Sequence, residues 1–295
     1  ILKNNNYLFV DGRYTIQANI ESGKNFRIFE IPYVYPKNLF KNFSKKLKIG
    51  FDPNLFTSLM LKGYFGDTCN LCPLNTNLID KINPIEKNKK KNYFYNLSHK
   101  VTGKKIEYKI NQLSKILKKK KIDNLFISAP ENVAWLLNLR GFDNPNSPIP
   151  NCRVLFSKKK IYLFSNSLKI KKIKKIITYK KVNFHNESDF FNTVNKLTGK
   201  NFCIDRLSCS IGNESLIKSK FKIISFLDPC YEMKAIKNST EINNMKKIHI
   251  YDGAALTKFL YWIKNTNLNK LTEIKVEKKL ESFRKKNKNY LYPKF

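Results

Sequence analysis

Between Ile106 and Phe226 the chain alternates between two hydrophobic periods, and that alternation restricts it to an α/β layer architecture. Ile106, Ile110, Leu113 and Leu117 recur at intervals of four, three and four, a single stripe along one helix face. Leu125-Phe126-Ile127 follows as an apolar run of strand length. Ser128-Ala129-Pro130-Glu131 then opens another helix, with the serine placed to cap it and the glutamate three residues on placed to reach back. That helix carries Val133, Trp135, Leu136 and Leu137 and is expected to end near Arg140-Gly141, with Trp135 in the core. Residues 152–156 and 161–164 flank Ser157-Lys158-Lys159-Lys160, which predicts a hairpin. Residues 182–184, 201–204 and 222–226 read as further strands with helices between them.

The flanking regions follow the same grammar. Residues 7–10 form an apolar strand ended by Asp11-Gly12, and 14–20 has a helical pattern. Residues 47–51 form a second strand ended by Asp52-Pro53, with a helix expected over 54–61 and the proline suited to its start. Residues 83–105, with Asn83-Pro84, a lysine run and Gly103, show little apolar periodicity and read as a linker. Past it, Asn238 and Glu241 make a second cap-and-reach-back pair, opening one long helix over 242–264. Thr272 can cap a following helix bearing Ile274, Val276, Leu280 and Phe283. Two helices that need a core to lie on imply a third, incomplete domain. The first residue is Ile1 and the last is Phe295, so both ends are expected to be cut from something longer, and a leader peptide cannot be judged.

Charge sets the next limit. The chain has 57 Lys+Arg against 22 Asp+Glu, a formal +35, yet 42% of it is hydrophobic, which excludes a disordered basic tail. Only six of the basic residues are Arg. Proteins that read phosphates or guanines favour the planar Arg fork, so lysines spread over every segment point to solvated faces rather than to specific nucleic-acid binding. The longest apolar run, 259–263, is far short of the ~20 residues a membrane helix needs. Six scattered cysteines do not make a disulfide scaffold, and Cys69-x-x-Cys72 lacks the second pair a zinc site requires. Reduced thiols in a cytoplasmic protein fit this usage best. His99, His185 and His249 stand alone, and there is no Gly-rich phosphate loop, G-x-S-x-G or H-E-x-x-H. From residue chemistry alone the chain holds no self-sufficient active site.

The order of short motifs carries further. Asp11-Gly12-Arg13-Tyr14 with Gln17-Ala18, Ile49-Gly50-Phe51-Asp52-Pro53 and Asn77 to Ile82 follow one another in a fixed order. The string Glu131-Asn132-Val133-Ala134-Trp135-Leu136-Leu137-Asn138-Leu139-Arg140-Gly141 comes next. Met233-Lys234-Ala235-Ile236-Lys237-Asn238, Glu241, Met245, His249, Asp252-Gly253, Ala255-Leu256 and Trp262 close the set. Together they resemble the aminopeptidase P (Xaa-Pro aminopeptidase) family, of its larger three-domain type, in the creatinase/prolidase superfamily. One departure is Asn83, where the family normally continues with tryptophan.

The resemblance implies an α/β fold of two tandem creatinase N-terminal-like (ribonuclease H-like) domains followed by the first helices of a pita-bread domain. Its boundaries fall at 1–90, 91–232 and 233–295. It further implies hydrolysis of the Xaa-Pro bond by two divalent ions, often manganese, and a homodimer when full length. The partners are peptides with proline at the second position, with no membrane and no specific nucleic acid. The family's two aspartates, histidine and two glutamates lie beyond the point matching Tyr292-Pro293-Lys294-Phe295, so this chain is expected to bind no catalytic metal and to cleave nothing. His249 and Asp252 are therefore not nominated as ligands. The arginine of D-G-R-Y contacts bound peptide in the family, which maps onto Arg13; the competing role is a pairing with Asp11 that holds the turn. Arg140 and Asp143 are lesser candidates for lining the cleft or a domain interface. Two other classes stay open: a non-catalytic relative that binds peptide or protein, and a lysine-driven polyanion binder.

Overall fold

The structure, a computed structural model, describes residues 5–83, 94–144, 146–177, 179–267, 269 and 271–291. The chain divides into two compact units: the described part of Ile1–Lys89 with Asp205–Lys220, and the described part of Lys90–Ile204 with Phe221–Phe295.

The first unit is built from two parallel strand pairs. Strands β1 (Tyr7–Asp11) and β2 (Arg27–Ile31) pair in parallel, with helix α1 (Thr15–Ser22) in the crossover. After α2 (Pro36–Phe40), strands β3 (Leu47–Phe51) and β4 (Cys69–Pro73) repeat the pattern around α3 (Ser58–Phe65), and α4 (Leu78–Ile82) follows. Parallel strands need such a helical crossover because a tight turn cannot reverse the chain twice. Ala18, Phe40, Phe51, Leu61 and Cys69 are buried apolar side chains on these elements.

The helix expected over 54–61 starts later than its pattern suggests. Asp52 accepts the Asn54 N–H in a local turn, and Thr57 is the cap, its Oγ1 accepting from Met60 N–H at 3.2 Å. Residues 53–57 are held instead by the helix Ile211–Lys218 of the same unit. Gly212 N–H donates to the Pro53 carbonyl, Ile211 N–H to that of Phe56, and Thr57 bridges to Ser210.

The second unit continues with β5 (Phe94–Asn96), α5 (His99–Thr102) and α6 (Ile106–Lys119). Next come β6 (Asn124–Ile127), α7 (Pro130–Leu136), β7 (Leu139–Gly141), β8 (Arg153–Ser157), β9 (Lys160–Ser165), α8 (Ser167–Ile176), β10 (Val182–Asn186), α9 (Phe190–Lys196) and β11 (Asn201–Ile204). After α10 (Ile211–Lys218, in the first unit) the chain returns as β12 (Lys222–Ser225), α11 (Pro229–Ala235), α12 (Ser239–Lys264) and α13 (Glu273–Arg284). Six strands form one mixed sheet in the order β10-β9-β8-β6-β11-β12, antiparallel at β6–β8 and β8–β9 and parallel elsewhere. The predicted stripe of α6 packs here: Ile110, Leu113 and Leu117 are buried with Leu125, Ile127, Val154 and Leu163.

Three sequence expectations need correction in this unit. Phe94–Asn96 pairs with β7 and Phe94 is core, so the assumed linker contains ordered structure; the stretch 84–93 lies outside the described residues. Ser128 does not cap α7. Pro130, with its preset φ, takes the first helical position and makes Ala129 the boundary, while Glu131 accepts from the Tyr231 hydroxyl at 2.8 Å. The helix also stops at Leu136 rather than at Arg140-Gly141, because Asn138 adopts φ +52 and turns the chain into β7. The expected cap of the long helix is present: Asn238 accepts from Glu241 N–H and Glu241 accepts from Asn238 N–H. Thr272 likewise caps α13.

Candidate functional site

Arg13 follows directly from the end of β1. Asp11 closes that strand and caps a single 3-10 turn over Gly12–Tyr14, its carboxylate accepting the Arg13 backbone N–H at 3.0 Å. The same carboxylate receives the guanidinium from Nε at 2.8 Å and from Nη2 at 3.3 Å. Those bonds, the side-chain ones foremost, hold Asp11 below the usual carboxylate range and raise Arg13. The arginine side chain is nonetheless 79% exposed, with Tyr14 beside it at 5.8 Å from ring centroid to guanidinium carbon. A guanidinium has five donors, so a carboxylate held on one edge leaves others for a peptide carbonyl or carboxylate. The pairing with Asp11 is thus an observed fact of the turn, and it orients the group outward.

The lesser candidates are engaged locally. Arg140 donates from Nη1 to the carbonyls of Leu139 at 2.7 Å and Ala134 at 3.2 Å. Asp143 is ion-paired with Lys169 and accepts the Asn151 N–H at 2.6 Å. Trp135 packs against the core of the second unit, as expected. On α12, Asp252 takes Arg284 of α13 in a two-point pair at 2.6 and 3.1 Å, and His249 Nδ1 contacts the Met245 carbonyl at 2.8 Å. His185 lies against the Tyr162 and Phe164 rings, and burial lowers its pKa. Cys69 and Cys72 sit three apart on strand β4, where side chains alternate between faces, so they point to opposite sides. Burial raises the thiols of Cys69, Cys152 and Cys230, which leaves them protonated and inert.

What the sequence reading missed is a buried polar core under its strongest motif. Asn132, wholly buried, donates from Nδ2 to Asp228 Oδ2 at 2.7 Å and accepts from Lys234 Nζ at 2.6 Å. Asp228 also caps α11 by accepting the Cys230 N–H at 2.9 Å. Lys109 is 2% exposed and donates from Nζ to the Trp135 carbonyl and to Asn138 Oδ1, each at 2.6 Å. Its ammonium lies 4.3 Å from the Trp135 ring centroid, and burial pushes its pKa down to about 8. The Asp228-Pro229 pair is a legible cap signal for the first network. Lys109 had a signal in the sequence: it stands three residues after Ile106 and four before Leu113, on the apolar face of α6.

Among the described residues no three His, Cys, Asp or Glu side chains converge as a metal site would require. Among them, too, no helix is long and apolar enough to cross a membrane.

Comparison with known proteins places this geometry. A family profile described as the creatinase/prolidase N-terminal domain matches residues 86–241. Xaa-Pro aminopeptidase 1 of Dictyostelium discoideum is 31% identical over 320 residues, spanning 99% of this chain and 50% of that protein. The chain therefore spans about half the length of the curated relatives it matches. The fold is shared with the crystal structure of an X-prolyl aminopeptidase from Caenorhabditis elegans, at a TM-score of 0.82 and 23% identity over 99% of this chain and 50% of that one. That enzyme is described as cytosolic, with a di-nuclear active site.

Proposed function

This chain belongs to the creatinase/prolidase N-terminal domain family, and on that premise we propose that it is the N-terminal portion of a metallo-aminopeptidase that hydrolyses the Xaa-Pro bond at peptide N-termini. The observation that carries the reading is coverage: 99% of the chain aligns with half of an Xaa-Pro aminopeptidase at 31% identity. In this reading residues 1–90 and 91–232 are two successive creatinase-type lobes, and 233–295 begins a pita-bread domain with α12 and α13. The whole enzyme is a cytoplasmic homodimer that takes peptides with proline second. An Xaa-Pro bond lacks the N–H that general peptidases grip, so recognition falls on carbonyls, the free amine and the carboxylate.

Two divalent ions, manganese in the family resemblance, do not fit the described residues of this chain, which bring no ligand set together. What this chain supplies is a positioned cation: Arg13, exposed and aimed by Asp11, binds a peptide carbonyl or carboxylate.

The test has two parts. The purified 295-residue chain, supplied with Mn²⁺, should release no amino acid from an Xaa-Pro-peptide and hold no stoichiometric metal by elemental analysis. Turnover by this chain would refute the placement of the metal site outside it. The transcript should continue past Phe295 with an Asp-x-Gly, a later Asp, a Gly-His-rich stretch and two glutamates. In the enzyme so encoded, Arg13→Ala should lower kcat/KM, and unchanged kinetics would leave Arg13 only its place in the turn.

A further inference from the structure

At one end of the six-stranded sheet of the second unit, where the β8–β9 hairpin turns, there is a concavity of about 360 Å³. Four lysines line it: Lys118 and Lys121 from the end of α6, and Lys158 and Lys159 from the hairpin turn. Three of the four stand in left-handed backbone, with φ of +54 at Lys121, +47 at Lys158 and +63 at Lys159. A two-residue hairpin loop with both φ positive is the turn that Asn-Gly makes readily and lysine does not. Strain of this kind persists where something beyond the turn requires it.

The rest of the lining is apolar or already committed. Leu117, Ile122 and Phe156 form a buried floor. Asp123, the acidic group in the lining, accepts the N–H groups of Lys200 and Asn201 at 2.8 and 2.9 Å through one carboxylate oxygen. Lys118 in the last turn of α6 is explained by the helix dipole alone. Lys158 feels the Asp123 carboxylate, whereas neither the helix dipole nor the turn itself accounts for Lys159 at φ +63.

We propose that this concavity is a binding site for a multiply charged oxyanion of the phosphate class. Four lysines around an apolar floor attract a polyanion. The site is independent of the aminopeptidase reading.

Calorimetry with inorganic tripolyphosphate at about 150 mM salt tests it, since exposed charge alone is largely screened there. The informative variant is Lys158→Asn/Lys159→Gly, which suits the turn and should fold at least as well. Its melting temperature should rise by about 2–4 °C while tripolyphosphate affinity falls by about tenfold or more. Lys174→Gln/Lys175→Gln, the same loss of charge on exposed positions of α8, should leave affinity within about twofold. Adenosine triphosphate run in parallel shows whether an organic body on the floor adds to binding; either result keeps the site if the hairpin variant abolishes both. No binding by the unaltered chain at this salt, or equal loss in the two variants, overturns the proposal.

Discussion

Lys109 and Arg13 are both cations beside polar partners, and their surroundings give them opposite physics. Arg13 stays in water, where its pair with Asp11 sets geometry more than stability. Lys109 is buried, and its ammonium is satisfied by a carbonyl and an amide oxygen. With its pKa near 8 against an ordinary 10.5, the folded state binds fewer protons than the unfolded state between those limits. Stability therefore rises with pH across that window, and the penalty is complete below about 8. The expected size is about 3 kcal/mol at most. Lys109→Met removes this titration, so the stability of the native chain relative to the variant should increase from pH 8 to pH 10, read by urea denaturation. A pH-independent difference would show that Lys109 keeps an ordinary pKa.

Helix α12 shows how one element depends on another that its own sequence does not mention. Its cap, Asn238, also donates from Nδ2 to the Thr102 carbonyl at 2.9 Å, and Asn244 donates to that of Val101 at 3.0 Å. These amides satisfy the open carbonyl end of α5, which turns out at Gly103 with φ +73. A Cβ on Gly103 would stand 2.2 Å from Asn238 Oδ1, whereas one on Gly253, in the middle of α12, would meet nothing within 4 Å. The same substitution should thus have opposite signs. Gly103→Ala is expected to destabilise by about 2 kcal/mol, and Gly253→Ala to stabilise by about 0.5–1 kcal/mol. Thermal melts of the two variants check this, and a loss at both would mean that the α12 interior is not open as described.

At the scale of the molecule, the alternation of periods was legible because the central strands β6, β8 and β11 of the second unit are buried on both faces and carry apolar runs. The α6 stripe, the lysine hairpin, the α12 capping box and the Thr272 cap are all local patterns, and all are present. The misses at α3, β5 and Asn132 are non-local, whereas those at the two ends of α7 turn on Pro130 and Asn138 themselves. The start of α3 moved because residues 53–57 bond to a segment some 150 positions later in the chain, the Asp205–Lys220 excursion. The supposed linker hid β5 because a three-residue strand shows no period until its partner β7 is beside it. The buried use of Asn132 was unreadable for the same reason: its partners Asp228 and Lys234 lie 96 and 102 residues away. Family membership and the position of Arg13 came from the order of motifs along the chain. Which charges are solvated, which are buried, and which lysines crowd one strained turn came only from the fold, because burial is set by residues that are neighbours in space and strangers in sequence.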